Sequence, residues 1–287
     1  MKSKEKILIT GSSGLLGLTL LKILKKTGYE VTSFSGDITK NEDIKNYAAK
    51  NSNYAWIIHT AAITNIEDCE KNKKHCHRVN VFGTQNILNL AKQVKAKFLY
   101  ISTVSVFSCE TGDYKEKDQP EPINYYSETK YLGEKIALTY PLSLILRINL
   151  IGIHPKGSRG LNFFEWLYDS FSTSQDIQLY KDILVNPLSN WTLAEFILRL
   201  LKQNIEDKIL HLTSKDVLSK AAIGQLALKF FPHYQGKIEL VKINQANNSR
   251  GSSLKNMWLN ADLIQKKYGF KLPSLQEEVS KIFSHLT

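Results

Sequence analysis

The stretch Lys6-Ile7-Leu8-Ile9-Thr10-Gly11-Ser12-Ser13-Gly14-Leu15-Leu16-Gly17 decides the fold of this 287-residue chain. A short apolar run leads into a TGxxGxxG turn, and apolar residues then recur at helical spacing over 15–24. A strand, a glycine-rich turn and a helix in this order are typical of dinucleotide-binding sheets, because the helix N-terminus attracts a pyrophosphate. The order predicts that a dinucleotide contacts Gly11, Ser12, Ser13, Gly14, Leu15, Leu16 and Gly17.

Each glycine of this turn has its own expected task. Gly11 permits the tight turn, and Gly14 lets backbone N–H groups approach the pyrophosphate. Gly17 lets the helix pack closely on the strand.

Downstream of the turn, strands and helices alternate. The pattern predicts strands at 29–34, 54–59, 98–102 and 142–148, and helices at 41–50, 78–94 and 125–139. Such alternation implies βαβ units, so we predict an α/β fold, a Rossmann-type doubly wound parallel sheet. Residues 1–150 would form this dinucleotide-binding domain.

The alternation becomes less strict after about residue 150. Helices are predicted near 161–172, 192–203, 219–231 and 261–268. We expect residues 151–287 to form a smaller C-terminal α/β substrate-binding lid, partly interleaved with the first domain. Ligands of such sheets bind beyond the carboxyl ends of the strands, where this region would supply substrate contacts.

Composition narrows the class of protein. The chain is 43% hydrophobic, which excludes disorder, and its apolar runs fall short of the ~18–20 residues of a membrane span. Lysines are dispersed and only five of the 38 basic residues are Arg, so the net charge of +11 does not indicate a nucleic-acid partner. Three cysteines without a C-x-x-C pair argue against a disulfide framework or a metal site, and favour the cytoplasm.

A Tyr-x-x-x-Lys spacing offers acid–base chemistry. In Tyr126-Ser127-Glu128-Thr129-Lys130 the two side chains lie one helical turn apart, and the ammonium favours ionisation of the phenol. Such a Tyr can protonate a carbonyl oxygen as hydride arrives. The spacing recurs at Tyr131–Lys135, but only the first pair begins its helix and follows a strand that ends in a hydroxyl, at Thr103.

The end of the second strand bears on the choice of coenzyme. An acid there would accept from the ribose hydroxyls of NAD and repel the 2′-phosphate of NADP. The strand ends Phe34-Ser35-Gly36, and Asp37 follows late. NADP(H) is therefore favoured, with NAD(H) as the alternative, although no Arg stands nearby in the sequence to bind the phosphate.

Taken in order, these motifs resemble the extended short-chain dehydrogenases/reductases. The carrying residues are TGxxGxxG, Ala61-Ala62-Ile63-Thr64, Asn80-Val81-Phe82-Gly83-Thr84, Ser102-Thr103 and YxxxK. Within that superfamily, Gly36-Asp37-Ile38-Thr39 and the tail Leu272-Pro273-Ser274-Leu275 look most like the dTDP-4-dehydrorhamnose reductase branch.

The resemblance implies a catalytic trio: Thr103 hydrogen-bonds the reacting carbonyl, Tyr126 donates the proton, and Lys130 holds the nicotinamide ribose. It implies further coenzyme contacts from Asp37, Ile38, Ala61, Ala62, Thr64, Ile148 and Asn149. Substrate contacts are expected from Thr64, Ser105, Arg159 and Asn162. The branch usually has Asp-Tyr after the catalytic Thr, where this chain has Val104-Ser105, so the sugar pocket is altered.

We therefore expect NAD(P)H-dependent reduction of a keto group on a nucleotide-activated sugar, in deoxysugar or surface polysaccharide biosynthesis. Two alternatives stay open: an NAD-retaining nucleotide-sugar epimerase, and a non-catalytic NAD(P)-binding regulatory subunit. The resemblance to this family implies a homodimer that forms through the helices around 77–95 and 125–139.

Overall fold

The computed structural model describes residues 5–50, 53–154, 162–243 and 255–285. Its helices are α1 Leu15–Lys25, α2 Asn41–Lys50, α3 Ile66–Lys71, α4 Lys73–His77, α5 Thr84–Gln93, α6 Tyr125–Leu138, α7 Phe163–Ser172, α8 Asn190–Leu201, α9 Lys220–Leu228, α10 Asp262–Tyr268 and α11 Leu275–Ser284. Within the described ranges, none of these helices is long and apolar enough to cross a membrane.

The strands fall into one large sheet and several short pairings. They are β1 Lys6–Thr10, β2 Glu30–Ser33, β3 Tyr54–His59, β4 Lys97–Thr103, β5 Ser143–Ile148, β6 Leu150–Ile151, β7 Ile177–Tyr180, β8 Leu184–Val185, β9 Leu188–Ser189, β10 Ile209–Leu212, β11 Leu218–Ser219, β12 Ile238–Val241 and β13 Asn256–Met257. The large sheet is parallel, in the order β10-β5-β4-β3-β1-β2. This confirms the predicted Rossmann-type fold.

The sheet order reverses at β1, whose neighbours are β2 on one side and β3 on the other. Ligands of doubly wound sheets bind at such a reversal, beyond the carboxyl ends of the strands. The TGxxGxxG turn follows β1 directly and therefore lies at this position.

One α-helix was predicted at 78–94, but the α-helix observed there begins only at Thr84. Arg78–Gly83 is π-helical and connects α4 to α5. The buried side chain of Asn80 lies in this segment and bonds outside its own helix. A π-helical turn replaces the regular hydrogen bonds of an α-helix with bonds that span one more residue. Such turns are frequent at functional sites.

The chain divides into two compact units. Unit 1 comprises Met1–Phe107, Gln119–Arg147 and Ala194–Leu210, and unit 2 comprises Ser108–Asp118, Ile148–Leu193 and His211–Thr287. Unit 2 has its own apolar core, in which α7, α9 and α11 contribute Phe164, Ile223 and Val279. Most of its strands are two to four residues long, too short to show a period in the sequence.

Two cysteines depart from the expectation drawn from the sequence. Cys69 of α3 and Cys76 of α4 form a disulfide, with their Cα atoms 5.1 Å apart. The turn between these two short helices brings them together, and a spacing of seven residues gave no sign of it. Cys109 is buried and forms no disulfide with the described residues.

A buried ion pair joins α6 to the sheet. Arg147 of β5 donates through Nε and Nη2 to the carboxylate of Glu134, at 2.9 and 2.8 Å, and both side chains are almost fully buried. The Ser102 hydroxyl of β4 donates to the same carboxylate. Removing one partner of such a pair leaves an uncompensated buried charge.

We predict that Arg147→Met lowers the free energy of unfolding by about 3–5 kcal/mol, because Glu134 then loses its counter-charge. The matched control is Asp262→Asn, which breaks the exposed Lys266–Asp262 pair on α10 and should cost less than about 0.5 kcal/mol. Urea denaturation measures both. Equal stability of the two variants would contradict the importance of the buried pair.

Candidate active site

The glycine-rich turn after β1 is crowded by backbone. Gly11 has φ +68°, and a Cβ there would lie 2.6 Å from the backbone of Ala61. A Cβ at Gly17 would lie 2.3 Å from the carbonyl oxygen of Gly11. Gly14 is less confined, since its Cβ would meet that oxygen at 3.4 Å. Gly11 and Gly17 are therefore required by packing, whereas the space beside Gly14 is open to a ligand.

The N-terminus of α1 fits a pyrophosphate. Its N-cap is Gly14, and no side chain caps the helix. Ser13 is exposed and Ser12 half-buried beside it, while the Leu16 side chain is buried in the core, so Leu16 offers a ligand its backbone N–H only. Free N–H groups and the helix dipole favour an anion at this place. The residues present thus fit the dinucleotide predicted from the sequence.

Asp37 and Ile38 follow β2 with different surroundings. Asp37 is exposed, and its pKa is lowered chiefly by the hydrogen bond from the Thr39 backbone, with further contributions from Lys40 and Arg78. Ile38 is buried, with its side chain against Gly83. The sequence showed no arginine near this position, but folding brings Arg78 into electrostatic range of Asp37.

The segment after β3 is held by an asparagine. Asn80 accepts from the Ile63 N–H at 2.8 Å and donates to the Ile63 carbonyl at 3.0 Å. It also donates to the Thr129 hydroxyl at 3.0 Å. Asn80 thereby connects the segment of Ala61, Ala62 and the exposed Thr64 to α6.

Tyr126 and Thr103 come together at the end of β4. Asn124 caps α6 by accepting from the Ser127 N–H at 2.9 Å, which places Tyr126 in the first turn. Burial raises the pKa of Tyr126 to about 12, and a hydrogen bond with Thr103 offsets part of that rise. Thr103, and not Lys130 as the spacing suggested, is the neighbour that favours the ionised phenol.

Lys130 is a buried cation beneath the same site. Its Nζ donates to the Ile101 carbonyl at 2.7 Å and lies 4.2 Å from the centroid of the Tyr100 ring. Burial lowers the pKa of Lys130 to about 7, against the opposing effect of the Glu134 carboxylate. The other Tyr-x-x-x-Lys pair differs, since Tyr131 and Lys135 contact each other at the surface and the Tyr131 hydroxyl accepts from Gln119.

Ser105 is tied to the catalytic candidate Thr103. It is 5% exposed, its N–H donates to the Thr103 hydroxyl at 3.1 Å, and its own hydroxyl lies 3.3 Å from that group. The short 3-10 turn Val104–Val106 produces this contact. Ser105 orients Thr103, and its role toward substrate stays a prediction.

His59 has no free face for a ligand. Its two ring nitrogens pair with the hydroxyls of Thr10 and Thr84, at 2.7 and 3.0 Å, and burial lowers its pKa to about 3. It is a neutral core histidine. Among the described residues, no group of three or more His, Cys, Asp or Glu side chains could hold a metal ion.

The remaining predicted residues belong to unit 2. Ile148 is buried, and Asn149 donates to the Met257 carbonyl at 3.3 Å. Asn162 caps α7 through its Oδ1 and lines a cavity of about 570 Å³. Arg159 lies outside the described residues. The sequence did not single out Lys220, which lines the same cavity.

Comparison with known proteins gives consistent results. The family model described as RmlD substrate binding domain matches residues 5–287. The chain is 30% identical over 199 residues to the spore coat polysaccharide biosynthesis protein SpsK of Bacillus subtilis, covering 68% of this chain and 69% of that protein. It is 27% identical over 222 residues to dTDP-4-dehydrorhamnose reductase of Mycolicibacterium smegmatis, covering 75% of this chain and 66% of that enzyme.

A solved structure shows the same fold over nearly the whole chain. The dTDP-4-dehydrorhamnose reductase of Bacillus anthracis, in complex with NADP, has a TM-score of 0.89 and 23% identity, covering 98% of this chain and 99% of that one.

Two alanine substitutions separate packing from ligand binding in the turn. Gly17→Ala should lower the free energy of unfolding by about 1–3 kcal/mol, because its Cβ meets backbone at 2.3 Å. Gly14→Ala should change it by less than about 1 kcal/mol, yet weaken NADPH binding by obstructing the pyrophosphate. Thermal unfolding and fluorescence titration measure these effects. Normal NADPH affinity in Gly14→Ala would contradict a pyrophosphate at this helix end.

Proposed function

The chain belongs to the RmlD substrate binding domain family, and we propose that it is an NAD(P)H-dependent reductase of a keto group on a nucleotide-activated sugar. The observation that carries this proposal is the hydrogen bond between Tyr126 and Thr103, with Lys130 buried one helical turn after Tyr126. Relatives named dTDP-4-dehydrorhamnose reductase and a spore coat polysaccharide protein support a 4-keto-6-deoxy hexose and polysaccharide biosynthesis.

Tyr126 is suited to donate a proton. Its pKa of about 12 keeps the phenol protonated at neutral pH in the absence of ligand. A carbonyl oxygen that gains negative charge is a strong base, so the proton passes from the Tyr126 hydroxyl to that oxygen. Thr103 shares the carbonyl oxygen through its hydroxyl and fixes the direction of approach. The nicotinamide coenzyme supplies the hydride.

Lys130 is suited to hold the coenzyme and to supply positive charge. Its Nζ is fixed by the Ile101 carbonyl, and Glu134 opposes the loss of its proton. We propose that the ammonium binds the nicotinamide ribose. Asn80 acts as a positioning residue, because it connects α6 to the segment of Ala61 and Ala62.

The coenzyme favoured by this proposal is NADP(H). β2 ends without an acid beside the ribose, and Arg78 adds positive charge near Asp37. The similar fold of a reductase solved with NADP supports the same preference, with NAD(H) as the alternative.

The cavity of unit 2 is the proposed subsite for the nucleotide of the substrate. Phe163 and Trp166 stack there with ring centroids 6.1 Å apart, next to Asn162. Stacked aromatic rings and an amide are the groups that contact nucleobases. Residues 151–287 would thus contribute the substrate-binding region.

The remaining expectations concern the substrate, the oligomeric state and the cellular location of the protein. We propose cytoplasmic action on a nucleotide sugar and a homodimer through the helices around 77–95 and 125–139. Phe82 and Leu138, which lie on these helices, are 58% and 48% exposed. Large exposed apolar side chains of this kind are typical of interfaces.

The test follows the loss of NADPH absorbance with dTDP-4-keto-6-deoxyglucose. Tyr126→Phe should lower turnover by about 100- to 10,000-fold while NADPH binding stays near normal, because only the transferable proton is lost. Tyr131→Phe is the matched control and should retain turnover, since its hydroxyl meets Gln119 at the surface. Undiminished turnover in Tyr126→Phe would overturn the assignment, and bound coenzyme without consumption would favour an epimerase or a regulator.

Lys130 predicts a pH dependence. Its pKa of about 7 in the ligand-free protein means that the ammonium is present below pH 7 and is lost as pH rises through that value. The affinity for NADH, which has no 2′-phosphate to titrate, should therefore fall between pH 6.5 and 8.5. Lys130→Met should bind NADH weakly and without this dependence in a fluorescence titration. A flat profile in the unmodified protein would contradict the contact.

A further inference from the structure

The cavity of unit 2 contains an unusual cation. Lys220 is the first residue of α9, which is capped by Ser219 accepting from the Ala222 N–H at 3.1 Å. Its Nζ lies 5.3 Å from the centroid of the Phe163 ring, and the side chain is half-buried. Helix geometry thus fixes the stem of Lys220 in the cavity wall, with its ammonium over an aromatic face.

No Asp or Glu of the described residues forms an ion pair with this ammonium. Within the described ranges, Lys220 forms no ion pair, and the residues outside those ranges include no Asp or Glu. Asp176 also lines the cavity, but its carboxylate accepts from the Lys237 N–H at 2.7 Å. Burial lowers the pKa of Lys220, so its charged form is destabilised while the cavity holds no anion.

The neighbouring groups indicate which anion would stabilise the charged form of Lys220. The Asn162 Nδ2 is buried, with no hydrogen-bond partner among the described residues, and its Oδ1 is occupied by capping α7. Aromatic faces at Phe163 and Trp166 suit a base, and an ammonium suits a phosphate as a point charge. The combination matches a nucleotide better than an uncharged sugar.

We propose that Lys220 is a specificity-determining residue that binds a phosphate oxygen of the substrate's nucleoside diphosphate. This inference rests on the proposed function, since it assigns a residue to the nucleotide subsite of that substrate. The competing explanation is purely structural, with Lys220 covering Phe163 as a cation–π contact worth little at a half-exposed site. The two differ in whether the charge serves the ligand or the fold.

The experiment measures binding of thymidine diphosphate and of thymidine by calorimetry, with the full chain saturated with NADP⁺. Lys220→Met keeps an apolar stem and should weaken thymidine diphosphate about 10- to 100-fold, the effect of losing one charge-assisted contact. Thymidine should bind as before, because it carries no phosphate. Lys220→Arg should restore most of the affinity. The matched control is Lys229→Met, an exposed lysine at the opposite, C-terminal end of α9.

Three outcomes would overturn the inference. Equal binding of thymidine diphosphate to Lys220→Met and the unmodified protein would overturn the role of Lys220 alone. Equal weakening of thymidine and thymidine diphosphate would assign Lys220 to packing. Absence of nucleoside diphosphate binding in the unmodified protein would overturn the nucleotide-sugar substrate as well.

Discussion

The carboxylate of Glu134 is the constraint on which the proposed active site of unit 1 depends. It accepts from Arg147 of β5 and Ser102 of β4, and it opposes the loss of the Lys130 proton one turn earlier on α6. Because Tyr126, Lys130 and Glu134 follow each other at intervals of four residues, they share one face of the helix. Fixing Glu134 in the sheet therefore sets the register of the reacting groups.

Burial sets the acid–base properties of this site more strongly than the pairing of charges does. It raises the pKa of Tyr126 to about 12 and lowers that of Lys130 to about 7, so it favours the neutral form of each group. A neutral phenol is the form needed to donate a proton. A lysine with a pKa of about 7 changes its protonation readily when a charged ligand binds beside it. Burial also lowers the pKa of Lys220 in unit 2. A bound anion would stabilise the protonated form of that lysine.

The sequence predicted the parts of the fold that carry long periodic patterns. The alternation and spacing placed the glycine turn, the strands β1 to β5 and the helices α1, α2, α5 and α6 close to where they lie. They did not predict the short helices α3 and α4. The two-residue strands of unit 2 and the π-helical turn at Arg78–Gly83 were missed, because neither has a period of its own. Contacts between distant segments were missed too: Asn80 with Ile63, Arg78 near Asp37, and the disulfide of Cys69 and Cys76.

The most direct test of the account follows the hydrogen itself. NADPH carrying deuterium at both hydrogen positions of nicotinamide C4 is incubated with dTDP-4-keto-6-deoxyglucose and the protein, and the sugar product is examined by mass spectrometry and NMR. A reductase would give one deuterium bound to the former carbonyl carbon and one NADP⁺ for each product molecule. In Tyr126→Phe the label transfer should be about 100- to 10,000-fold slower. A product without deuterium, or a changed sugar formed while NADPH stays intact, would contradict a reductase built on Tyr126 and Thr103.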